Sequence, residues 1–398
     1  MNDKPRLEFS RPIIYATSAF PPRPGGSAIL NRNLLTAFSP ESITLVTSRP
    51  PVSLPRVDFG GHQPIYVTKD LTYSTRVNFY WSCLQNSFAE NRIVRLARHN
   101  DFGAIVGAFP HVFIFHAALR ASRRLKLPFI AYLHDTLAES LNHKLMSKLG
   151  RELQEWVFSN ADKILVMSQG MSDLYREKYN LETTSLVHSL PEPIRSEIET
   201  SEPDRSAFWG GSVYDINDRS VMRIYEAITK VDGYRLFIAS NDRRDRLVER
   251  GMDETGFILQ YIPDREIYLD ILKRQAFLIL ALNWADETVT HEDELATIFP
   301  TKTIEYLASG RPILVHCPED YFLARFFREH ECAEVVTERS VDSIHAAVQR
   351  LITDRTHADD LARRALETAK MFSLERVATQ FHREVEEVLQ RHEGFSPS

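Results

Sequence analysis

Short apolar runs alternate with amphipathic segments along nearly all of the 398 residues, and few architectures satisfy that pattern. A strand that is apolar throughout needs cover on both faces, which a parallel sheet flanked by helices provides. The pattern predicts an α/β chain. In the first half the strand-like runs fall at 12–20, 43–49, 64–68, 104–109, 128–135 and 163–168, with a seventh at 184–189. In the second half they fall at 206–212, 234–240, 257–262, 277–283, 312–317 and 333–338, each followed by a helical pattern.

Between the two sets lies LPEPIRSEIETSEPD, with three prolines, five acidic residues and little apolar periodicity, the composition of an exposed linker. The expected organisation is a first Rossmann-like domain over 1–190, a linker over 191–204 and a second Rossmann-like domain over 205–372. The helices from about 354 to 392 are too long and too polar on one side to be further sheet units, so they must pack elsewhere. No repeat of solenoid or propeller type is found.

With 43% apolar and 26% charged residues the chain has the composition of a soluble globular protein. It contains no uninterrupted apolar stretch of spanning length, and MNDKPRLEFSRP lacks the apolar centre of a secretory signal, so a cytoplasmic location is expected. Cys83, Cys317 and Cys332 are far apart and show no metal-like spacing, which fits structural thiols in a reducing compartment. Residues 1–190 hold 22 Lys+Arg against 15 Asp+Glu, whereas residues 191–398 hold 26 against 39. A basic first half is suited to an anionic partner such as a phosphate-bearing acceptor or a membrane surface, although unclustered surface charge explains it equally well.

The most informative segment is FPTKTIEYLASGRPILVHC, residues 299–317, in which Gly310 and Pro312 stand as stop signals after a helix beginning near Thr301. Lys302 falls in the first helical turn, where the helix dipole disfavours a cation, so a bound phosphate accounts for it better than helix stability does. This segment resembles the carboxy-terminal motif of the family-4 glycosyltransferases, whose pattern is met by Pro300, Thr301, Lys302, Glu305, Tyr306, Gly310, Arg311 and Pro312. The resemblance implies that Glu305 accepts hydrogen bonds from the donor ribose hydroxyls, a task suited to a carboxylate. A second glutamate of the family pattern is replaced by Thr297. The loop before it carries Asp286, Glu287, His291, Glu292, Asp293 and Glu294 as possible substitutes.

The resemblance extends over most of the chain. Gly25 and Gly26 match the family's glycine loop after the first strand, which implies backbone amides close to the donor diphosphate or the acceptor. His134 and Asp135 match a His-Asp pair at a strand end, implying a catalytic imidazole that bonds a sugar hydroxyl or steadies developing charge, with Asp135 orienting it. Ser168 stands at a helix cap position. In WGGSVYDINDRS, Gly211 fits the family's glycine turn, Ser212 stands where arginine is usual, and Arg219 falls near the lysine of the diphosphate clamp. The backbone at Tyr261 and Ile262 corresponds to the strand and turn that read the nucleotide base. Residues 373–398 correspond to the terminal helix that crosses back onto the first domain.

There is no Asp-x-Asp, no G-x-G-x-x-G with a trailing acid and no G-x-x-x-x-G-K-[ST], which argues against a metal-anchoring site, nicotinamide cofactors and a phosphate-loop nucleotidase. The resemblance thus implies a GT-B fold, with two parallel sheets facing a central cleft, and transfer of a sugar from a nucleotide-sugar donor to a glycan or lipid-linked glycan, with retention, no cofactor and no metal. Nucleic acid is not an expected partner. Peripheral membrane contact through Phe79, Tyr80, Trp81 and Phe88 beside Arg92, Arg95 and Arg98 is one reading of the segment 76–99, and a core helix with a solvated basic edge is the other. A nucleotide-sugar 2-epimerase and a non-catalytic nucleotide-sugar-binding protein of the same fold are the alternatives.

Overall fold

In the computed structural model, which describes residues 6–21, 25–49, 61–69, 76–139 and 144–393, the chain forms two compact units. The first comprises Met1–Pro191 and Leu374–Ser398, and the second Glu192–Ser373.

The first unit opens with β1 (Ile13–Ala16), α1 (Gly26–Leu35), β2 (Ile43–Arg49), β3 (Ile65–Lys69) and the long α2 (Arg76–Arg98). It continues through β4 (Ala104–Phe109), α3 (Val112–Leu125), β5 (Phe129–Leu133), α4 (Lys144–Asn160), β6 (Lys163–Val166), α5 (Gln169–Tyr179) and the short β7 (Thr184–Ser185). All seven strands are parallel, in the order β3-β2-β1-β4-β5-β6-β7. Every residue of β4 and β5 is buried, as strands covered on both faces must be. Ser168 caps α5 by accepting the Met171 N–H at 3.1 Å, the role its position predicts.

The second unit runs β8 (Asp204–Gly210), α6 (Asp218–Thr229), β9 (Arg235–Ala239), α7 (Arg244–Glu249), β10 (Phe257–Gln260), α8 (Arg265–Arg274) and β11 (Gln275–Ala281). Then come α9 (Glu292–Thr297), α10 (Lys302–Leu307), β12 (Ile313–His316), α11 (Phe322–Glu329), β13 (Glu334–Val336), α12 (Val341–Thr353) and α13 (Arg355–Ala369). Its six strands are also parallel, in the order β10-β9-β8-β11-β12-β13. Each strand-like run in the sequence thus became a strand, most of them trimmed by a residue or more at one or both ends. The acidic, proline-rich stretch is strapped to this unit rather than left loose. Glu199 N–H donates to the Gly310 carbonyl at 3.0 Å, Arg195 pairs with Glu199 at 2.9 Å, and Arg311 Nη2 donates to the Ser201 carbonyl at 3.1 Å.

The last helix, α14 (Leu374–Glu393), belongs to the first unit. Phe381 is fully buried there against Phe9, Phe38 and Tyr15. Gln380 Nε2 donates to the Ser185 carbonyl at 2.9 Å, Glu384 pairs with Lys163, and His392 Nε2 bonds Asp162 at 2.8 Å. The helix therefore closes the core of a domain whose other elements lie almost two hundred residues earlier. Cys317 and Cys332 are buried, and burial raises both thiols above the ordinary range; the Cys83 side chain lies outside the described residues.

Candidate functional site

In an open parallel sheet, ligands bind outside the carboxyl ends of the strands where the strand order reverses. In the second unit that point lies between β8 and β11, and the loops following those two strands form its walls. The β8 loop begins at Gly211, with φ of +103° and open space where a Cβ would project, so the turn favours glycine and leaves the backbone approachable. The two loops are fastened together by Asn283, just beyond β11. Its Nδ2 donates to the Asp215 carbonyl at 2.7 Å and to Asp218 Oδ1 at 2.9 Å, while its Oδ1 accepts the Ser220 N–H at 2.9 Å.

Lys302, Glu305 and Tyr306 of α10 come up beside the last residue of β8. Lys302 Nζ donates to the Gly210 carbonyl at 2.9 Å and sits 3.1 Å from the centre of the buried Trp209 ring, and Tyr306 Oη accepts the Gly210 N–H at 2.8 Å. Burial holds the Lys302 amine well below its ordinary range, and the negative charge of Glu305 opposes that shift. A carbonyl and an aromatic face thus already receive the cation that the helix dipole disfavours.

Glu305 is 20% exposed and pairs with Arg265, which also grips Glu192 through two bonds of 2.9 and 3.2 Å. Tyr268 hydrogen-bonds Glu305 as well and stands against Gly210, where its hydroxyl would lie 2.5 Å from an added Cβ. Burial pushes the Glu305 carboxyl upward while Arg265 pulls it down. The result is a carboxylate fixed in direction with part of its surface open, a geometry suited to accepting two neighbouring hydroxyls. Tyr261 and Ile262 follow β10; the Tyr261 ring is 65% exposed. Thr301 caps the start of α10 without a side-chain cap bond.

The acidic loop is less free than its composition implies. Asp286 is bound by Arg339 at 2.8 Å, and Glu287 is clasped by Arg223 at 2.6 and 3.1 Å. His291 Nδ1 accepts the Asp293 N–H at 3.2 Å, and the Thr297 hydroxyl is turned back to the Glu294 carbonyl at 2.9 Å. Asp215 of the β8 loop holds the Thr288 and Thr290 hydroxyls. Arg223 Nε also donates to His316 Nε2 at 3.1 Å, and its guanidinium lies 4.8 Å from the Trp284 ring centre. Burial lowers His316 to about 4, and its Nδ1 lies 2.9 Å from the Val336 carbonyl, so the ring is neutral, with Nδ1–H donating to that carbonyl and Nε2 accepting from Arg223.

Arg219, in the first turn of α6, is exposed and makes no ion pair among the described residues. Thus Gly211, Lys302 and Glu305 are gathered around Gly210, whereas no contact joins Arg219 to them. Arg223, Arg265, Tyr268, Asn283 and His316 escaped the sequence reading. Only Asn283, a polar residue ending the apolar run FLILALN, and His316, in PILVHC, carried any signal.

In the first unit Gly25 has φ of +125° with open space at its Cβ position and caps α1, which Gly26 begins. His134 and Asp135 follow β5. His134 is 6% exposed, packs edge-on against Tyr132 at 4.5 Å, and finds no hydrogen-bond partner among the described residues for either ring nitrogen. Burial lowers it to about 3, with His188 adding to the shift, and raises Asp135 to about 6. No bond between the two is seen, so the proposed orienting role of Asp135 has no contact behind it. Arg92, Arg95 and Arg98 are exposed on α2, where Arg92 Nη1 reaches the Tyr66 and Val67 carbonyls at 3.3 and 3.4 Å, and Phe88 is 67% exposed. The side chains of Phe79, Tyr80 and Trp81 lie outside the described residues. Among the described residues no helix is long and apolar enough to cross a membrane, and no group of three or more His, Cys, Asp or Glu is placed to hold a metal ion.

Residues 24–191 match the model of Glycosyltransferase Family 4. No curated protein sequence matches the chain. Among solved structures it is similar to sucrose-phosphate synthase from Thermosynechococcus elongatus, at 12% identity and a TM-score of 0.68 over 96% of this chain and 100% of that one. It is similar to α,α-trehalose 6-phosphate synthase from Burkholderia multivorans, at 11% identity and a TM-score of 0.64 over 98% and 99%. It is also similar to Anabaena Alr3699/HepE in complex with UDP-glucose, at 11% identity and a TM-score of 0.65 over 95% and 100%. Those likenesses show the fold, a GT-B architecture of two parallel-sheet units, and the family match covers residues 24–191 of the first unit.

Proposed function

We propose that the chain transfers a sugar from a nucleotide-sugar donor held by the second unit to a glycan or lipid-linked glycan received by the first, with retention and without a metal. The observation that carries this reading is Glu305, oriented by Arg265 and Tyr268 and partly open beside the exposed turn at Gly211. In this reading the carboxylate takes the ribose hydroxyls and the exposed Tyr261 ring with the Ile262 backbone receives the base. The Gly211 turn, Thr301 and Arg219 face the diphosphate, and Lys302 fixes the strand end they depend on. Arg219 and backbone amides offset the charge that grows on the leaving diphosphate, which replaces the task of a cation. On the acceptor side, Gly25 and Gly26 supply the phosphate loop and His134, with Asp135, meets the sugar. The basic edge of α2 supports a peripheral contact with an anionic membrane.

UDP-glucose, the ligand of the Anabaena structure, is the first donor to test. Calorimetric titration, followed by a panel of nucleotide sugars screened by thermal stabilisation, should find one that binds and is turned over when acceptor glycans are added. Failure of every nucleotide sugar to stabilise the folded chain would sink the donor assignment. Donor binding with consumption in the absence of any acceptor, and formation of the C2 epimer, would replace transfer by epimerisation.

A further inference from the structure

The surface of the first unit holds an open pocket of about 560 Å³ between α2, α3 and α4, lined by Glu90, His116, Arg120, Arg123, Arg124 and Trp156. We propose that it is a binding site for a phosphate-type dianion, either a free phosphate or phosphomonoester or the phosphate of a lipid headgroup, separate from the sugar-transfer site. Its position follows from the topology. Helix α3 leads from the carboxyl end of β4 back to the amino end of β5, so the arginines of its last two turns lie toward the sheet edge opposite the one that binds ligands in this class of fold.

His116, Arg120, Arg123 and Arg124 fall at helical spacing and so present one face of α3 to the pocket. Across from them Glu90 is buried, with 8% of its side chain exposed. It accepts from Arg120 Nε at 2.7 Å and from Arg124 Nη1 at 3.3 Å, and Arg124 Nη1 also reaches Asn91 Oδ1 at 2.7 Å. The carboxylate thus fixes two guanidinium groups from behind, and among the described residues the rest of their N–H groups are unclaimed apart from the Asn91 bond. Arg123 forms no ion pair among the described residues and is exposed. One wall is completed by the His116 ring, edge-on to Trp156 at 5.1 Å, with Nδ1 at 2.9 Å from Asn86 Nδ2. With Nδ1 accepting from the amide, Nε2 carries the proton and is a further donor.

A cation or two at the end of α3 would satisfy its dipole, and one guanidinium would neutralise Glu90. Three arginines around one carboxylate exceed both needs and leave a pocket with two uncompensated positive charges and several forked donors, the arrangement that recognises phosphate oxygens in pairs. The half-buried Trp156 ring and the arginine stems supply the apolar part of the lining.

The test uses the full chain labelled with 15N, following the Trp156 indole N–H resonance, which is assigned by its loss in Trp156→Phe. Inorganic phosphate is titrated against chloride at matched ionic strength. The expected result is a saturable shift with phosphate alone, weakened at least five-fold in Arg123→Gln and in Arg120→Gln but unchanged in Arg274→Gln, a surface control in the second unit. In a second arm, phosphatidylcholine vesicles with and without phosphatidic acid are floated with the same variants. Flotation that needs phosphatidic acid and is reduced by Arg123→Gln identifies the lipid headgroup as the source. A phosphate response without flotation identifies a free phosphate ligand. An unmoved Trp156 resonance, or equal responses in Arg123→Gln and the parent, would overturn the proposal.

Discussion

Lys302 donates to the carbonyl of Gly210 at 2.9 Å, so the end of the first strand of the second sheet is fixed by a side chain ninety-two residues away. Tyr306 holds the N–H of the same glycine at 2.8 Å. Between them they set the direction in which the backbone enters the open turn at Gly211. Substituting Lys302→Met keeps most of the apolar stem but leaves that carbonyl without its donor, a cost of about 1 to 3 kcal/mol for a buried group. The variant should lose that much stability in urea denaturation and also bind donor more weakly. Native stability combined with unchanged donor affinity would show that the bond positions nothing.

Glu305→Ala removes a charge-assisted contact worth roughly 1.5 to 3 kcal/mol, which corresponds to donor binding on the order of 10- to 150-fold weaker. Arg265 keeps Glu192 as a partner in that variant, so the fold should survive. Calorimetry alongside circular dichroism checks both halves; intact affinity in a natively folded variant would remove Glu305 from the donor site.

Transfer should persist in excess chelator, because Arg219 and backbone donors, rather than a divalent cation, are proposed to hold the diphosphate. A complete loss of activity that magnesium restores would show the clamp to be misread.

The pH dependence of stability follows from two buried histidines, His134 and His316, and the half-buried His116. His134 is lowered to about 3 and His116 and His316 to about 4, each chiefly by burial. In each case the folded-state value lies below the unfolded one near 6.5, so the unfolded chain takes the proton first. The stability these rings contribute is whole above about pH 6.5 and is lost progressively as pH falls toward 3 to 4, at up to ~1.4 kcal/mol per pH unit for each ring. Asp135 runs the other way: raised to about 6, it loses its contribution as pH rises from about 4 through 6. His134→Phe, which preserves the packing on Tyr132, should flatten the slope between pH 6.5 and 4 in urea titrations. An unaltered slope would mean that His134 does not titrate differently in the two states.

The architecture was legible because burial on both faces writes a parallel strand as an apolar run, as β4 is from end to end and β11 is from Ala276 onward. Gly211 and Glu305 were legible through the resemblance to the family-4 motifs, and Lys302 through its place in the first turn of a helix as well. Arg223, Arg265 and Tyr268 were not. Their significance comes from Glu287, Glu305 and Gly210, each brought to them by the crossover topology, and nothing within a few residues marks them. The contacts of the loop after β11 were hidden for the same reason: Arg339 and Arg223 reach Asp286 and Glu287 from 53 and 64 residues away.

Arg223 and Glu287 are joined by two bonds, with side chains only 16% and 14% exposed, and Arg223 also serves His316 and lies over Trp284. Removing Glu287 leaves the Arg223 guanidinium without a carboxylate, and removing Arg223 leaves Glu287 only Arg339 at 4.0 Å and the Trp284 N–H, so each loss costs up to roughly 3 kcal/mol, the lower end of the range for buried pairs. Arg223→Met should therefore be destabilised by about that amount, and Glu287→Met likewise. In the double variant neither charge is stranded, and the methionines can pack against the Trp284 ring, so most of the loss should return and the coupling between the two sites should exceed about 1 kcal/mol. Donor binding should fall in all three, since the pair pins the loop that walls the switch-point crevice, while stability recovers only in the double. Urea unfolding across the cycle gives the coupling and calorimetry gives the binding. Additive losses, with the double variant as unstable as the two singles combined, would show that the residues act separately and that the loop is held by other contacts.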